Sequence, residues 1–134
     1  MIPKFRAYDS GSTTRMYQPE EVMVCDGNIW IDDEDFEAGE WILNNDLYLM
    51  QSTGLFDKNG KEIFEGDILE VTDKHSWLEV VSYSQEKAMF VTEEINREFK
   101  VPKSPLYDLL DSTFLKFKVI GNIYENPELL EVGE

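Results

Sequence analysis

Gly54-Leu55-Phe56-Asp57-Lys58-Asn59-Gly60-Lys61-Glu62-Ile63-Phe64-Glu65-Gly66-Asp67-Ile68-Leu69-Glu70-Val71 is the stretch whose reading decides the fold. Asn59-Gly60 stands at the tip of a turn, because this pair accepts the backbone conformations that tight hairpin loops demand. Glu65-Gly66-Asp67 is a second bend, where glycine takes a backbone that a Cβ would forbid. Between and after the bends lie Glu62-Ile63-Phe64 and Ile68-Leu69-Glu70-Val71, short enough and rich enough in β-formers to read as strands.

The same grammar extends in both directions. Toward the N-terminus, Val22-Met23-Val24-Cys25 and Asn28-Ile29-Trp30-Ile31 flank Asp26-Gly27, a two-residue hairpin loop. Toward the C-terminus, Trp77–Tyr83 and Ala88–Thr92 form a pair joined around Ser84-Gln85-Glu86-Lys87. In Phe114–Ile120, Leu115, Phe117 and Val119 fall on one face and Lys116 and Lys118 on the other. Helix signals are few. Ser104-Pro105 predicts an N-cap with proline at the first helical position, before Leu106, Leu109 and Leu110 at helical spacing. Asn126-Pro127 repeats that arrangement, and Pro19-Glu20-Glu21 predicts one further turn. From Gly54 to Ile123 the spacing of strands and glycine turns suits a small closed sheet. The expected fold is therefore mostly β: an SH3-like barrel formed by the C-terminal two-thirds, an N-terminal β-hairpin region, and one or two short helices. The expected organisation is a single domain over 1–134, with 1–50 an N-terminal β region bearing an acidic loop and 51–134 the barrel-like part.

Twelve basic residues against 28 acidic ones give a net charge of −16 over 134 residues. Affinity for nucleic acid comes from lysine and arginine neutralising phosphates, so direct nucleic-acid binding is excluded, as is attraction to an anionic membrane surface. The charge is uneven. Residues 1–15 hold three basic residues and one acid, whereas residues 16–57 hold eleven acids and no lysine or arginine. The densest part is the acidic patch Asp32, Asp33, Glu34, Asp35, Glu37 and Glu40, which reads as a solvated loop because like charges repel unless water screens them. Two sharper readings of it are a weak Ca²⁺ site, although the EF-hand spacing is absent, and a mimic of DNA phosphates.

Candidate chemistry is sparse. His75 is the one histidine and lies in a polar loop; Cys25 is the one cysteine and is expected as a small buried hydrophobe. Neither zinc ligation nor a Cys-His nucleophile pair is supported, and no phosphate-cradling or nucleophile-elbow motif occurs. One cysteine makes no internal disulfide, the first residues lack the apolar run of a signal peptide, and no stretch reaches membrane-span length. The reading is of a soluble, intracellular protein with no cofactor, no metal and no enzymatic activity.

Three stretches together resemble the YopX family of bacteriophage and prophage proteins: Lys4–Asp9, Leu49–Leu69 and Val119–Leu130. Ser52 and Phe56 depart from the family pattern, and the acidic block from Asp32 to Glu40 is not part of it. The resemblance implies a small phage-encoded protein without assigned activity, present in the cytoplasm of an infected or lysogenic bacterium. The motif residues Thr53, Gly54, Asp57, Gly60, Glu65, Gly66, Asp67, Gly121, Asn122, Asn126 and Pro127 have two readings. In one they maintain the fold, with the glycines permitting turns, Asp57 and Asp67 capping backbone donors and Asn126 capping the last helix. In the other, Thr53, Asp57, Glu65 and Asp67 form a shared binding surface. The function expected is a non-catalytic, self-associating protein-interaction module with a phage or host protein as possible partner. The alternative is an acidic DNA mimic that inhibits a host DNA-binding protein.

Overall fold

A computed structural model describes residues 2–11, 13–33, 39–95 and 101–131. The chain divides into two compact units, Met1–Ser52 and Thr53–Glu134.

In the first unit, β1 (Phe5–Asp9) pairs antiparallel with β2 (Arg15–Tyr17) and with the start of β6 (Tyr48–Phe56). A second small sheet joins β3 (Val22–Cys25), β4 (Asn28–Ile31) and β5 (Ile42–Leu43). The predicted Asp26-Gly27 loop connects β3 to β4, with both residues at positive φ, +52° and +77°. Ala7, Tyr17, Ile31 and Leu47 form the buried core, and Val22, Ile29, Ile42 and Leu49 pack around it.

The Tyr17 hydroxyl donates to Asp33 Oδ2 at 2.8 Å, while Arg15 bridges Asp33 at 3.0 Å and Glu21 at 2.6 Å. Asp33 is only 5% exposed. This corrects its place in a solvated acidic patch: an arginine and a tyrosine on β2, some 16–18 residues earlier, draw its carboxylate inward. A buried carboxylate needs such partners, since leaving it unpaired costs several kcal/mol. Cys25 is also corrected, since it is exposed at the hairpin end. In β3 only Val22 escapes full exposure, so the strand offers Cys25 no covered face.

The second unit is built on the antiparallel order β11-β10-β9-β8-β12. Its strands are β7 (Glu62–Phe64), β8 (Asp67–Thr72), β9 (Ser76–Ser84), β10 (Met89–Glu94), β11 (Ser104–Pro105) and β12 (Lys116–Asn122). One helix, α1 (Leu106–Asp111), follows β11 directly. Ile63, Leu69, Val71, Val81, Leu106, Leu109 and Phe117 make the core. Five of the seven lie on strands, Leu106 and Leu109 come from α1, and the fold is mostly β as expected.

Two cap predictions are corrected. Ser104 and Pro105 are paired with Thr92 and Val91 of β10, so they end a strand, and α1 starts without a side-chain cap. Asn126 precedes a 3-10 turn, Pro127–Leu130, but does not cap it. Its Oδ1 instead accepts the Asn122 amide at 3.1 Å, four residues back. Gly121 likewise makes no turn. It lies in β12 where the pairing with β8 shifts register, its φ is not positive, and a Cβ there would stand 2.5 Å from Asn126 Oδ1, so glycine is needed for close approach.

Two outcomes follow. Gly121→Ala should cost roughly 1–2 kcal/mol in denaturant unfolding by displacing the Asn126–Asn122 bond, and that cost should shrink in an Asn126→Ala background, which leaves only the 3.1 Å contact with the Cβ of residue 126. Burial, with the Asp33 bond next, holds the Tyr17 hydroxyl neutral and pushes its pKa from 10.0 up to about 12. The resulting stabilisation is complete below pH 10.0 and is lost as pH rises through about 12. Tyr17→Phe should therefore lose about 1–3 kcal/mol at neutral pH, and the gap to the parent should close in strong alkali.

Candidate functional site

Of the eleven motif residues singled out from sequence in the second unit, five are buried, Thr53, Asp57, Gly66, Asp67 and Asn122, and the polar side chains among them bond mainly to backbone. Thr53 donates its hydroxyl to the Ile63 carbonyl at 2.7 Å and accepts the Leu55 amide. Next to it Gly54 takes φ +78° inside β6, where a side chain would be strained. Asp67, 1% exposed, accepts the Phe64 amide at 2.8 Å across the Glu65-Gly66 bend. Gly66, at φ +85°, donates its amide to the Val81 carbonyl and accepts from Ile123. The bend thereby ties β9 and the end of β12 to one point. Asn122 closes its own loop: Oδ1 accepts from Tyr124 and Glu125, and Nδ2 donates to Glu125. Pro127 opens the 3-10 turn and is exposed, and Glu65 is half-buried.

Asp57 joins the most widely separated segments of the set. Oδ1 accepts the amides of Asn59 (2.9 Å) and Lys61 (2.8 Å), and Oδ2 accepts that of Val119 (3.0 Å), 62 residues away. The first two bonds shape the turn that ends in Gly60 at φ +83°. The third fastens the turn to β12. Burial raises the Asp57 pKa, but the amides of Val119, Lys61 and Asn59, helped by the Lys61 charge, outweigh it and hold the carboxyl below its ordinary 3.8.

Of the acidic patch, Asp32 is half-buried, Asp33 is buried and bonded, and Glu40 is exposed; Glu34, Asp35 and Glu37 lie outside the described residues. Both sharper readings of the patch, a Ca²⁺ site and a row of phosphate mimics, thus lose Asp33 to Arg15 and Tyr17. Among the described residues no group of three or more histidine, cysteine or acidic side chains is placed to hold a metal ion. Also among the described residues, no helix is long and apolar enough to cross a membrane.

A different feature, missed by motif reading, lies beside the Asp57 turn. A cleft of about 340 Å³ is lined by Phe56, Leu109, Leu110, Leu115 and Phe117, with Lys58 and Lys116 at its polar side. A second, of about 330 Å³, shares Lys58, Lys116 and Phe117 and adds Lys118, Glu70 and Thr72. Lys118 reaches Glu70 at 3.6 Å. The lysine alternation of Lys116 and Lys118 was legible; that it meets Lys58 and an apolar wall from α1 needs the tertiary fold. Phe56 is 51% exposed and Phe114, next to the lining residue Leu115, is 82% exposed.

The family model described as YopX protein matches residues 4–131 of this chain. Among solved structures, the chain is similar to the crystal structure of protein EF1440 from Enterococcus faecalis. The identity is 32% and the TM-score 0.68, over 97% of this chain and 99% of that one. No curated protein matches the chain.

Asp57→Ala should leave three amides without their acceptor and cost at least ~3 kcal/mol near neutral pH. Because the folded carboxyl titrates below 3.8, its contribution is complete above that value and is lost as pH falls through the depressed one. Denaturation of parent and variant should therefore converge in strong acid; a constant gap down to the lowest pH would contradict the assignment.

Proposed function

The chain belongs to the YopX family, and on that premise we propose that it is a non-catalytic, self-associating protein-interaction module. The observation that carries this reading is a division of labour among side chains. Thr53, Asp57, Asp67 and Asn122 are buried, and their polar atoms bond mainly to backbone amides and carbonyls. Large apolar side chains, by contrast, lie exposed: Phe56, Tyr107 and Phe114 in the second unit, and Trp41, Leu43 and Tyr48 in the first. Exposed aromatics are the residues from which protein interfaces draw most of their energy. A catalytic site needs polar groups converging on a reacting atom; these polar groups converge on the chain's own backbone.

Within the same reading, the second unit is an SH3-like barrel whose corner is the Glu65-Gly66-Asp67 bend, and Asp57 draws the turn after β6 onto β12. In this reading, taken with the phage or prophage origin that the family resemblance implies, the protein acts in the cytoplasm of a bacterial host, and its partners are copies of itself and a phage or host protein. Lysines 58, 116 and 118 around the clefts favour an interaction module over a mimic of DNA, because they interrupt the negative surface a mimic requires.

Sedimentation equilibrium over a wide concentration range should give a mass that rises from 15.6 kDa toward a multiple of it. A strict monomer at the highest concentration would refute self-association.

A further inference from the structure

The cleft between α1 and the Asp57 turn has two unlike walls. On one, α1 contributes Leu109 and Leu110 to the lining and exposes Asp108 and Asp111, which flank them in the chain. On the other, Lys58 and Lys116 join Phe56, Leu115 and Phe117 in the lining. Five of the nine lining residues are apolar, and the volume of about 340 Å³ sits at the small end for a whole ligand, ~300–1,000 Å³. That size suits a single inserted side chain.

Such a side chain directly precedes one of the lining residues in the chain. The Ser112 hydroxyl accepts the amides of Phe114 (3.2 Å) and Leu115 (3.0 Å), holding a turn that sends Leu115 into the lining and leaves Phe114 82% exposed. Cleft and protruding ring are therefore linked through Leu115. Lys58 and Lys116 are in the lining, and exposed Asp108 and Asp111 are on the helix that contributes to it.

We propose that this surface is where two copies of the chain associate: Phe114 of each copy enters the cleft of the other about a two-fold axis. A two-fold interface uses the same patch on both partners and must be self-complementary. Here the two-fold would set Lys58 and Lys116 of one copy against Asp108 and Asp111 of the second. The net charge supports this location. With −16 on each copy, long-range repulsion opposes approach, and lysines concentrated at the cleft supply opposite charge where the copies meet. The inference rests on the self-association proposed above and names its surface.

Phe114→Ser removes only an exposed ring, so at concentrations where the parent is monomeric it should leave the unfolding transition unchanged. It should weaken the dimer by ~30-fold or more, the loss typical of a central aromatic anchor. Lys58→Glu with Lys116→Glu should weaken it similarly by facing acid with acid, as should Asp108→Lys with Asp111→Lys. Joining all four changes in one chain should restore association, a rescue that a folding defect would not give. A wild-type protein that is monomeric throughout would overturn this surface and the self-association reading together. An associating wild type that Phe114→Ser and both charge reversals leave unchanged would overturn the surface alone.

Discussion

One carboxylate holds the second unit in register. Asp57 reaches its own turn through Asn59 and Lys61 and reaches β12 through Val119. Three amide donors keep the acid charged even though it is 6% exposed. Charge-assisted bonds of this kind are the strong ones, and a strand edge left without them would have to find water or another chain. Around this tie the other polar positions act alike: Thr53 binds β7, Asp67 closes a bend, and Asn122 with Asn126 closes the loop after β12.

That economy leaves the surface to other residues. The fixed Asp57 turn presents Lys58 and, with Phe56, forms one side of a cleft whose opposite side is α1. The apolar face proposed for association thus depends on the buried polar tie beside it. The net charge of −16 conceals this arrangement, because most of the excess lies in residues 16–57 while the cleft is rimmed by lysine.

Local features were legible in the sequence wherever one residue pair decides the backbone. Asp26-Gly27 and Asn59-Gly60 mark turns that the structure contains, and the alternation of Lys116, Phe117 and Lys118 gives the correct faces of β12. Where a distant partner decides, local rules misled. Ser104-Pro105 has the chemistry of a helix start, yet β10 pairs with it and makes it a strand end. Asp33 belongs by composition to an acidic loop, yet Arg15 and Tyr17 bury it. Asn126 looks like a cap, and the space left by Gly121 lets it fold back instead. The cleft was invisible for the same reason: its lining comes from three separate segments, at residues 56–58, 109–112 and 115–117.

The central claim is that the buried polar residues hold the fold while the cleft beside them meets a partner. Residue-resolved amide exchange, followed as protein concentration rises, separates the two roles in one measurement. The account predicts that the Val119 amide is strongly protected at every concentration, while amides of α1 and of residues 113–117 gain protection only as the protein is concentrated. A Val119 amide that exchanges as fast as the exposed turns, or cleft amides indifferent to concentration, would contradict it.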